Sequence, residues 1–87
     1  MPLTDKAARA AKPREKTYEV SDERGMYLEV TLQGGRYWRL KYRFSGREKR
    51  LALGVYPNTL LADAREKREV ARKQLANGRD PSESQEA

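Results

Sequence analysis

Residues 36–44, RYWRLKYRF, lead through Ser45 and Gly46 into residues 47–54, REKRLALG, and the alternation in this stretch decides the fold. Side chains of an extended strand point to its two faces in turn. Trp38, Leu40, Tyr42 and Phe44 therefore share one face, while Tyr37, Arg39, Lys41 and Arg43 share the other. A two-residue loop at Ser45-Gly46 pairs Phe44 with Arg47. Counting back sets Leu40 opposite Leu51, Trp38 opposite Leu53, Lys41 opposite Arg50 and Arg43 opposite Glu48. Apolar residues meet apolar residues in this register without adjustment, and the product is a β-hairpin with one greasy and one basic face.

The charge is concentrated in the same place. Residues 36–50 hold seven Lys or Arg against one acid, a net of +6 that equals the charge of the whole chain, and the rest carries twelve of each sign. Lys41 and Arg50 face each other as like charges, an arrangement that costs a bare sheet roughly 0.2–1 kcal/mol and that a polyanion would reverse in sign. A basic stripe confined to one hairpin suits a nucleic-acid backbone.

Length and composition exclude other classes. Eighty-seven residues make one small domain with too little core for a large buried active site. The absence of Cys and His removes disulfides, a thiol nucleophile, an imidazole base and the usual zinc ligands, and no acids cluster for a carboxylate metal site. No cofactor is expected. No apolar run reaches membrane-spanning length and the first residues lack a signal-peptide core, so the reading is a cytoplasmic, nucleoid-associated protein with no membrane partner.

Working outward, residues 26–32 alternate with Leu28, Val30 and Leu32 on one face and Tyr27, Glu29 and Thr31 on the other. A two-residue loop at Gly34-Gly35 would mismatch the faces. A three-residue loop over 33–35 pairs Leu32 with Arg36, Val30 with Trp38, Leu28 with Leu40 and Glu29 with Arg39, and is the expected connection. Residues 17–21 read as a short edge strand closed by a turn over 22–25. Residues 3–11 suit a short helix capped by Thr4, either docked or frayed, within an N-terminal arm (1–16) whose Lys6, Arg9, Lys12, Arg14 and Lys16 could touch phosphates. After the turn at residues 54–57, a helix is expected over 60–77. Its stripe of Leu60, Leu61, Ala64, Ala71 and Leu75 would cover the apolar face, with Gly78 as C-cap. The helix charges Arg65, Glu66, Lys67, Arg68, Glu69, Arg72 and Lys73 mix signs as a solvated face does. The fold class is α+β: a three-stranded antiparallel sheet, with the short N-terminal edge strand beside it, packed on one face against a C-terminal helix. Residues 17–80 form the domain and 81–87 begin a linker.

Several phrases in order, Leu3-Thr4-Asp5, residues 21–30 (SDERGMYLEV), 38–43 (WRLKYR), 53–57 (LGVYP), 61–65 (LADAR) and 78–81 (GRDP), resemble the N-terminal arm-type DNA-binding domain of tyrosine-recombinase integrases from prophages, satellite phages and genomic islands. The resemblance covers residues 3–81. It implies that the sheet enters the major groove at repeated arm-type sites flanking an attachment core. It also implies that core-binding and catalytic domains lie further on, so that none of the five tyrosines is the recombination nucleophile. Where that family commonly has a capping Ser before its Leu-Ala-Glu/Asp-Ala-Arg phrase, this chain has Leu60, so either Thr59 or Asn58 caps instead or the helix starts less firmly.

The DNA-binding residues read from the chain are Tyr27, Thr31, Tyr37, Arg39, Lys41, Arg43, Arg47, Lys49 and Arg50. Arginine is the better bidentate donor to guanine, which favours Arg39 and Arg50 for base contacts and leaves Lys41 and Arg43 open between base and phosphate. Tyr27, Thr31 and Tyr37 offer phosphate hydrogen bonds or thymine-methyl contacts, and Arg47 and Lys49 lie at the hairpin tip, within reach of the backbone. Glu29 and Glu48 orient Arg39 and Arg43, or accept from cytosine. Trp38, Tyr42 and Phe44 belong to the core rather than to a single-strand stacking platform. The competing readings are an ordinary solvated face and a protein-interaction module docking an acidic recombinase partner, such as another integrase subunit or a directionality factor. RNA binding ranks below these, and a standalone enzyme last. The expected partner is double-stranded DNA, bound by a monomeric domain.

Overall fold

In the computed structural model, which describes residues 3–82, the order is α1 (Asp5–Ala10), β1 (Tyr18–Ser21), β2 (Met26–Val30), β3 (Arg36–Phe44), β4 (Arg47–Val55) and α2 (Leu61–Ala76). The strands form one antiparallel sheet in sequence order, so the sheet has four strands where three and an edge piece were expected. The edge piece is a full member, with Tyr18 paired to Val30 and Ser21 to Tyr27.

The central hairpin follows its turn. Ser45 and Gly46 both take positive φ, 53° and 76°, the combination whose twist suits a two-residue hairpin loop. Phe44 pairs with Arg47, Arg43 with Glu48, Lys41 with Arg50 and Leu40 with Leu51, as the alternation requires. Beyond Arg39 the ladder is irregular and Trp38 pairs with Gly54, not with Leu53. Leu53 is the extra residue of a bulge and stays buried. Gly54 sits at φ 138°, and a Cβ there would lie 2.2 Å from the Thr59 hydroxyl, so the bulge needs glycine.

The β2–β3 connection departs from expectation. Val30, not Leu32, pairs with Arg36, which moves the register by two: Leu28 faces Trp38, Tyr27 faces Arg39 and Met26 faces Leu40. The loop is five residues, 31–35, rather than three. Thr31 closes it: its N–H donates to the Gly35 carbonyl at 2.8 Å, its carbonyl accepts from Gly34 N–H at 3.1 Å, and its hydroxyl accepts from Gly35 N–H at 2.9 Å. These local bonds compete successfully with two further rungs of ladder. Leu32 is left 51% exposed, outside the strand. A shift of two preserves which side chains share a face.

The apolar face carries Met26, Leu28, Val30, Trp38, Leu40, Leu51 and Leu53, all buried. Trp38 donates its indole N–H to the Thr59 carbonyl at 2.7 Å and meets Tyr56 edge-on, centroids 6.2 Å apart. From α2, Leu61, Ala64 and Ala71 pack onto this core and Leu75 partly so. Leu60, expected in that stripe, is instead the N-cap and 48% exposed. Neither Thr59 nor Asn58 takes the cap. Leucine has no acceptor to offer, and the one side-chain bond at this end runs from the Leu60 N–H to the Asp63 carboxylate at 3.4 Å. At the other end Gly78, φ 76°, donates to Leu75 O and Arg79 donates to Gln74 O, closing the helix as a Schellman motif. Helix α1 is docked, not frayed: Thr4 caps it, Leu3 and Ala8 are buried, and the Arg36 guanidinium donates to the carbonyls of Ala8 and Arg9.

Two buried carboxylates tie the layers together. Asp22, in the β1–β2 turn, accepts from Leu3 N–H (2.7 Å), from Arg65 (2.9 and 3.1 Å) and from Arg68 (3.0 Å). Arg68 is only 6% exposed, so this part of α2 is not the solvated face its mixed charges suggested. Asp80 accepts from the Tyr42 hydroxyl at 2.6 Å, from Ser82, and from Lys49 in an ion pair. Pro81 beside it is fully buried. Of the segment read as linker, residues 83–87 lie outside the described residues, as do residues 1 and 2 of the N-terminal arm.

Three outcomes follow for stability. Asp22→Ala strands a buried guanidinium and is expected to cost about 3–5 kcal/mol in a urea titration, whereas Glu66→Ala on the same helix should stay within about 0.5 kcal/mol. Lys49→Gln should lower the thermal midpoint measurably and Arg47→Gln should not, because only Lys49 is paired with the buried Asp80. Acid should destabilise the fold. Burial pushes the Asp22 carboxyl up, but the Arg65 hydrogen bond and the Leu3 and Glu23 N–H groups outweigh it and the net direction is down. Asp80 is held well below the carboxylate range by Lys49 and then by Tyr42. Both therefore take up protons more readily in the unfolded chain. Their contribution is complete above the unfolded carboxylate value of about 3.9 and is lost as pH falls below it. Thermal melts from pH 7 to 2 should show a flat midpoint and then a decline; a midpoint that rises on acidification would contradict this.

Candidate nucleic-acid interface

Both helices pack on the face that carries Trp38, which leaves the other face of the sheet uncovered. Parity places Glu19 and Ser21 of β1, Tyr27 and Glu29 of β2, Tyr37, Arg39, Lys41 and Arg43 of β3, and Glu48, Arg50 and Ala52 of β4 on this open face. The structure thus brings together six of the nine residues expected to bind DNA: Tyr27, Tyr37, Arg39, Lys41, Arg43 and Arg50.

The other three sit elsewhere. Thr31 is in the β2–β3 loop with its hydroxyl engaged by Gly35, on which the Tyr37 ring rests so closely that a Cβ at Gly35 would lie 2.7 Å from it. Arg47 pairs with Phe44 and is exposed at the hairpin tip, on the helix-side parity. Lys49 shares that parity, opposite Tyr42, and its ammonium group is paired with Asp80. There it neutralises a buried carboxylate. Arg36, the first cation of the basic stretch, is likewise drawn to the helix side, capping α1 and lying 4.7 Å over the Tyr56 ring.

Tyr27 is on the open face yet only 3% exposed. The Lys41 ammonium lies 5.1 Å from its ring centroid, and its hydroxyl has no hydrogen-bond partner among the described residues. Burial pushes this phenol's pKa up. Arg39 lies 3.5 Å from Glu29 and stands over the Tyr37 ring at 5.6 Å. Lys41 lies 3.1 Å from Glu19, and Arg50 lies 3.9 Å from the other oxygen of the same carboxylate. Arg43 is exposed at the open end of the face.

Glu19 is a charged member of this face that the sequence reading did not single out. A turn over 22–25 would have set Glu19 across from Leu28; Asp22 N–H instead bonds to the Met26 carbonyl at 2.8 Å, the turn tightens to 23–25, and Glu19 falls across from Glu29. The face then holds two like-charge pairs, Glu19–Glu29 toward one edge and Lys41–Arg50 toward the other, and each offsets the repulsion within its neighbour.

The arrangement offers several long donors on one face of a sheet. Among the described residues no group of His, Cys, Asp or Glu is placed to hold a metal ion, and no helix is long and apolar enough to cross a membrane.

The comparisons with known proteins point the same way. The family described as Arm DNA-binding domain matches residues 3–87. The integrase of Enterobacteria phage P4 is 48% identical over 83 residues, covering 93% of this chain and 19% of that protein. The integrase of Shigella phage Sf6 and the prophage integrase IntS of Escherichia coli K12 are each 44% identical over 85 residues, covering 98% of this chain and 22% of theirs. The chain spans about a fifth of the length of these relatives, and what it matches in them is the DNA-binding portion, not a catalytic one. By sequence, the chain belongs to the Arm DNA-binding domain family, which it shares with these phage and prophage integrases.

Proposed function

We propose that the open face is laid into the major groove of duplex DNA at arm-type sites flanking an attachment site, as the non-catalytic anchoring domain of a site-specific integrase. The observation that carries this reading is the set of four long cations, Arg39, Lys41, Arg43 and Arg50, on central strand β3 and the adjacent edge strand β4, on the face of the sheet opposite Trp38. A major groove about 12 Å wide admits a two-stranded ribbon, and β3 with β4 is such a ribbon.

Within it Arg39 and Arg50 read bases, Lys41 and Arg43 reach base edges or phosphates, and Tyr37 contributes a hydroxyl from the loop end of the face. Arg47 contacts backbone from the hairpin tip. Thr31 and Lys49 act indirectly, Thr31 by shaping the loop under Tyr37 and Lys49 by holding Asp80. Residues 17–80 form the body that binds DNA, residues 1–16 are an arm that brings further cations to the backbone, and residues 81–87 begin the connection to core-binding and catalytic domains. Such a protein works in the bacterial cytoplasm.

The test is fluorescence anisotropy with a duplex tiling the flanks of the attachment site and with a scrambled duplex, across a salt series. Cognate binding should persist at moderate salt while the scrambled duplex binds more weakly and with the steeper dependence of a purely electrostatic contact. Arg39→Ala and Arg50→Ala should each narrow the gap between the two duplexes by about 1–3 kcal/mol, and Arg47→Ala should weaken both alike. Equal losses on both duplexes for all three variants would refute the division into base and backbone contacts.

A further inference from the structure

Glu19 reaches from edge strand β1 across Tyr27 to two cations on strands it does not pair with. One carboxylate oxygen lies 3.1 Å from the Lys41 ammonium and the other lies 3.9 Å from an Arg50 guanidinium nitrogen. Lys41 and Arg50 are cross-strand partners, so an anion beside both relieves their repulsion. Beneath this bridge Tyr27 is only 3% exposed, with a hydroxyl that no group among the described residues satisfies. The charges felt by that phenol are those of Arg50, Glu19, Glu29 and Lys41, which places it under the same cluster. A buried hydroxyl without a partner is a net cost in the free domain.

These observations mark an acceptor-binding position that is filled from within. The carboxylate of Glu19 occupies the place that an oxygen-rich ligand would take between an ammonium and a guanidinium, and an unused donor lies below it. We infer that Glu19 is an internal competitor for DNA: acceptor oxygens of the duplex displace its carboxylate from Lys41 and Arg50, and its departure uncovers the Tyr27 hydroxyl to donate to the DNA. The inference rests on the reading that the open face binds DNA. It adds that the face is held closed by its own counterion, so that affinity is set by an exchange of partners and not by the cation count alone.

The exchange has a sign that a merely decorative acid lacks. Glu19→Gln keeps shape and hydrogen-bonding capacity but removes the competing charge, and should tighten binding of the attachment-site duplex by roughly 3- to 10-fold, the scale of two partly exposed ion pairs. Glu48→Gln removes the same charge from the same face, opposite Arg43, and should tighten binding by well under half as much. Tyr27→Phe should leave the thermal midpoint unchanged or raise it, while weakening the same duplex roughly 3- to 10-fold through the lost hydrogen bond. The measurement is duplex anisotropy on the whole 87-residue chain, with melts of each variant.

The proposal falls if Glu19→Gln binds no better than the natural chain, or if Glu48→Gln matches it, since the effect would then be net charge alone. It falls in its second half if Tyr27→Phe binds DNA unchanged. Should neither the natural chain nor Glu19→Gln bind any duplex, the DNA reading itself is lost and the competitor with it. Binding gained only on removal of Glu19 would support the competitor outright. Repeating the comparison with inorganic phosphate as competitor separates the sources of the incoming oxygens: displacement at Lys41 by a backbone phosphate makes Glu19→Gln more sensitive to added phosphate, and displacement by base edges alone does not.

Discussion

The turn at Ser45 and Gly46 is the constraint from which the rest of the structure follows. Positive φ at both residues fixes the register of β3 against β4, and because side chains alternate, it fixes which residues face the helices and which face outward. A slip of one residue in β3 would send Trp38, Leu40 and Tyr42 to solvent and drive Arg39, Lys41 and Arg43 under α2. Hydrophobic burial of one tryptophan and its neighbours, at about 25 cal/mol per Å² of apolar surface, stands against such a slip. The core and the basic face are thus one decision. What packs Trp38 against Tyr56 and the Thr59 carbonyl also presents the cations of the same strand to the outside.

A domain this small gains little from its apolar core alone, and it supplements that core with buried charge. Asp22 gathers the N-terminal segment, the β1–β2 turn and α2 on one carboxylate. Asp80 does the same for the end of the chain and the hairpin, through Tyr42 and Lys49. Buried pairs of this kind contribute little net energy compared with apolar groups of the same volume, yet they are costly to break and strict about geometry. They therefore orient elements more than they hold them. Here they set the helix across the sheet and anchor the last residues of the domain beside the hairpin tip.

The alternation of residues 36–44 and the turn after them were sufficient to read the faces of the central hairpin, and the apolar stripe of residues 60–77 was sufficient to read the helix that covers it. Three features were not legible. The β2–β3 register moved by two because the Thr31 hydroxyl bonds back to Gly35, a local bond that hydrophobic pattern does not report. The alternation of the paired strands survived because a shift of two keeps parity, although Thr31 left the strand for the loop. The bulge at Leu53 and Gly54 arose from Thr59 packing on the glycine, a contact across a turn that strand counting cannot see. The roles of Arg68 and Lys49 were hidden for a third reason. A lone charge on a helix or strand reads as solvated until its partner is known, and both partners, Asp22 and Asp80, lie more than thirty residues away in sequence.

Charge counting also overstates the face. The basic stretch carries seven cations, but Arg36 is committed to the carbonyls of α1 and Lys49 to Asp80, and Arg47 lies at the tip on the other parity. Four remain on the open face, and three of those lie beside Glu19 or Glu29. The free domain is therefore far less electropositive on that face than its composition implies. This matters for the kind of DNA binding it can support. A face of bare cations binds any duplex through counterion release and discriminates little. A face whose cations are held by its own carboxylates gives up those pairs on binding and is repaid in full only where the incoming acceptors are well placed. Poorly placed phosphates return less of that cost than base edges and phosphates in the right register. Internal pairing is then a source of selectivity without any additional contact to the DNA.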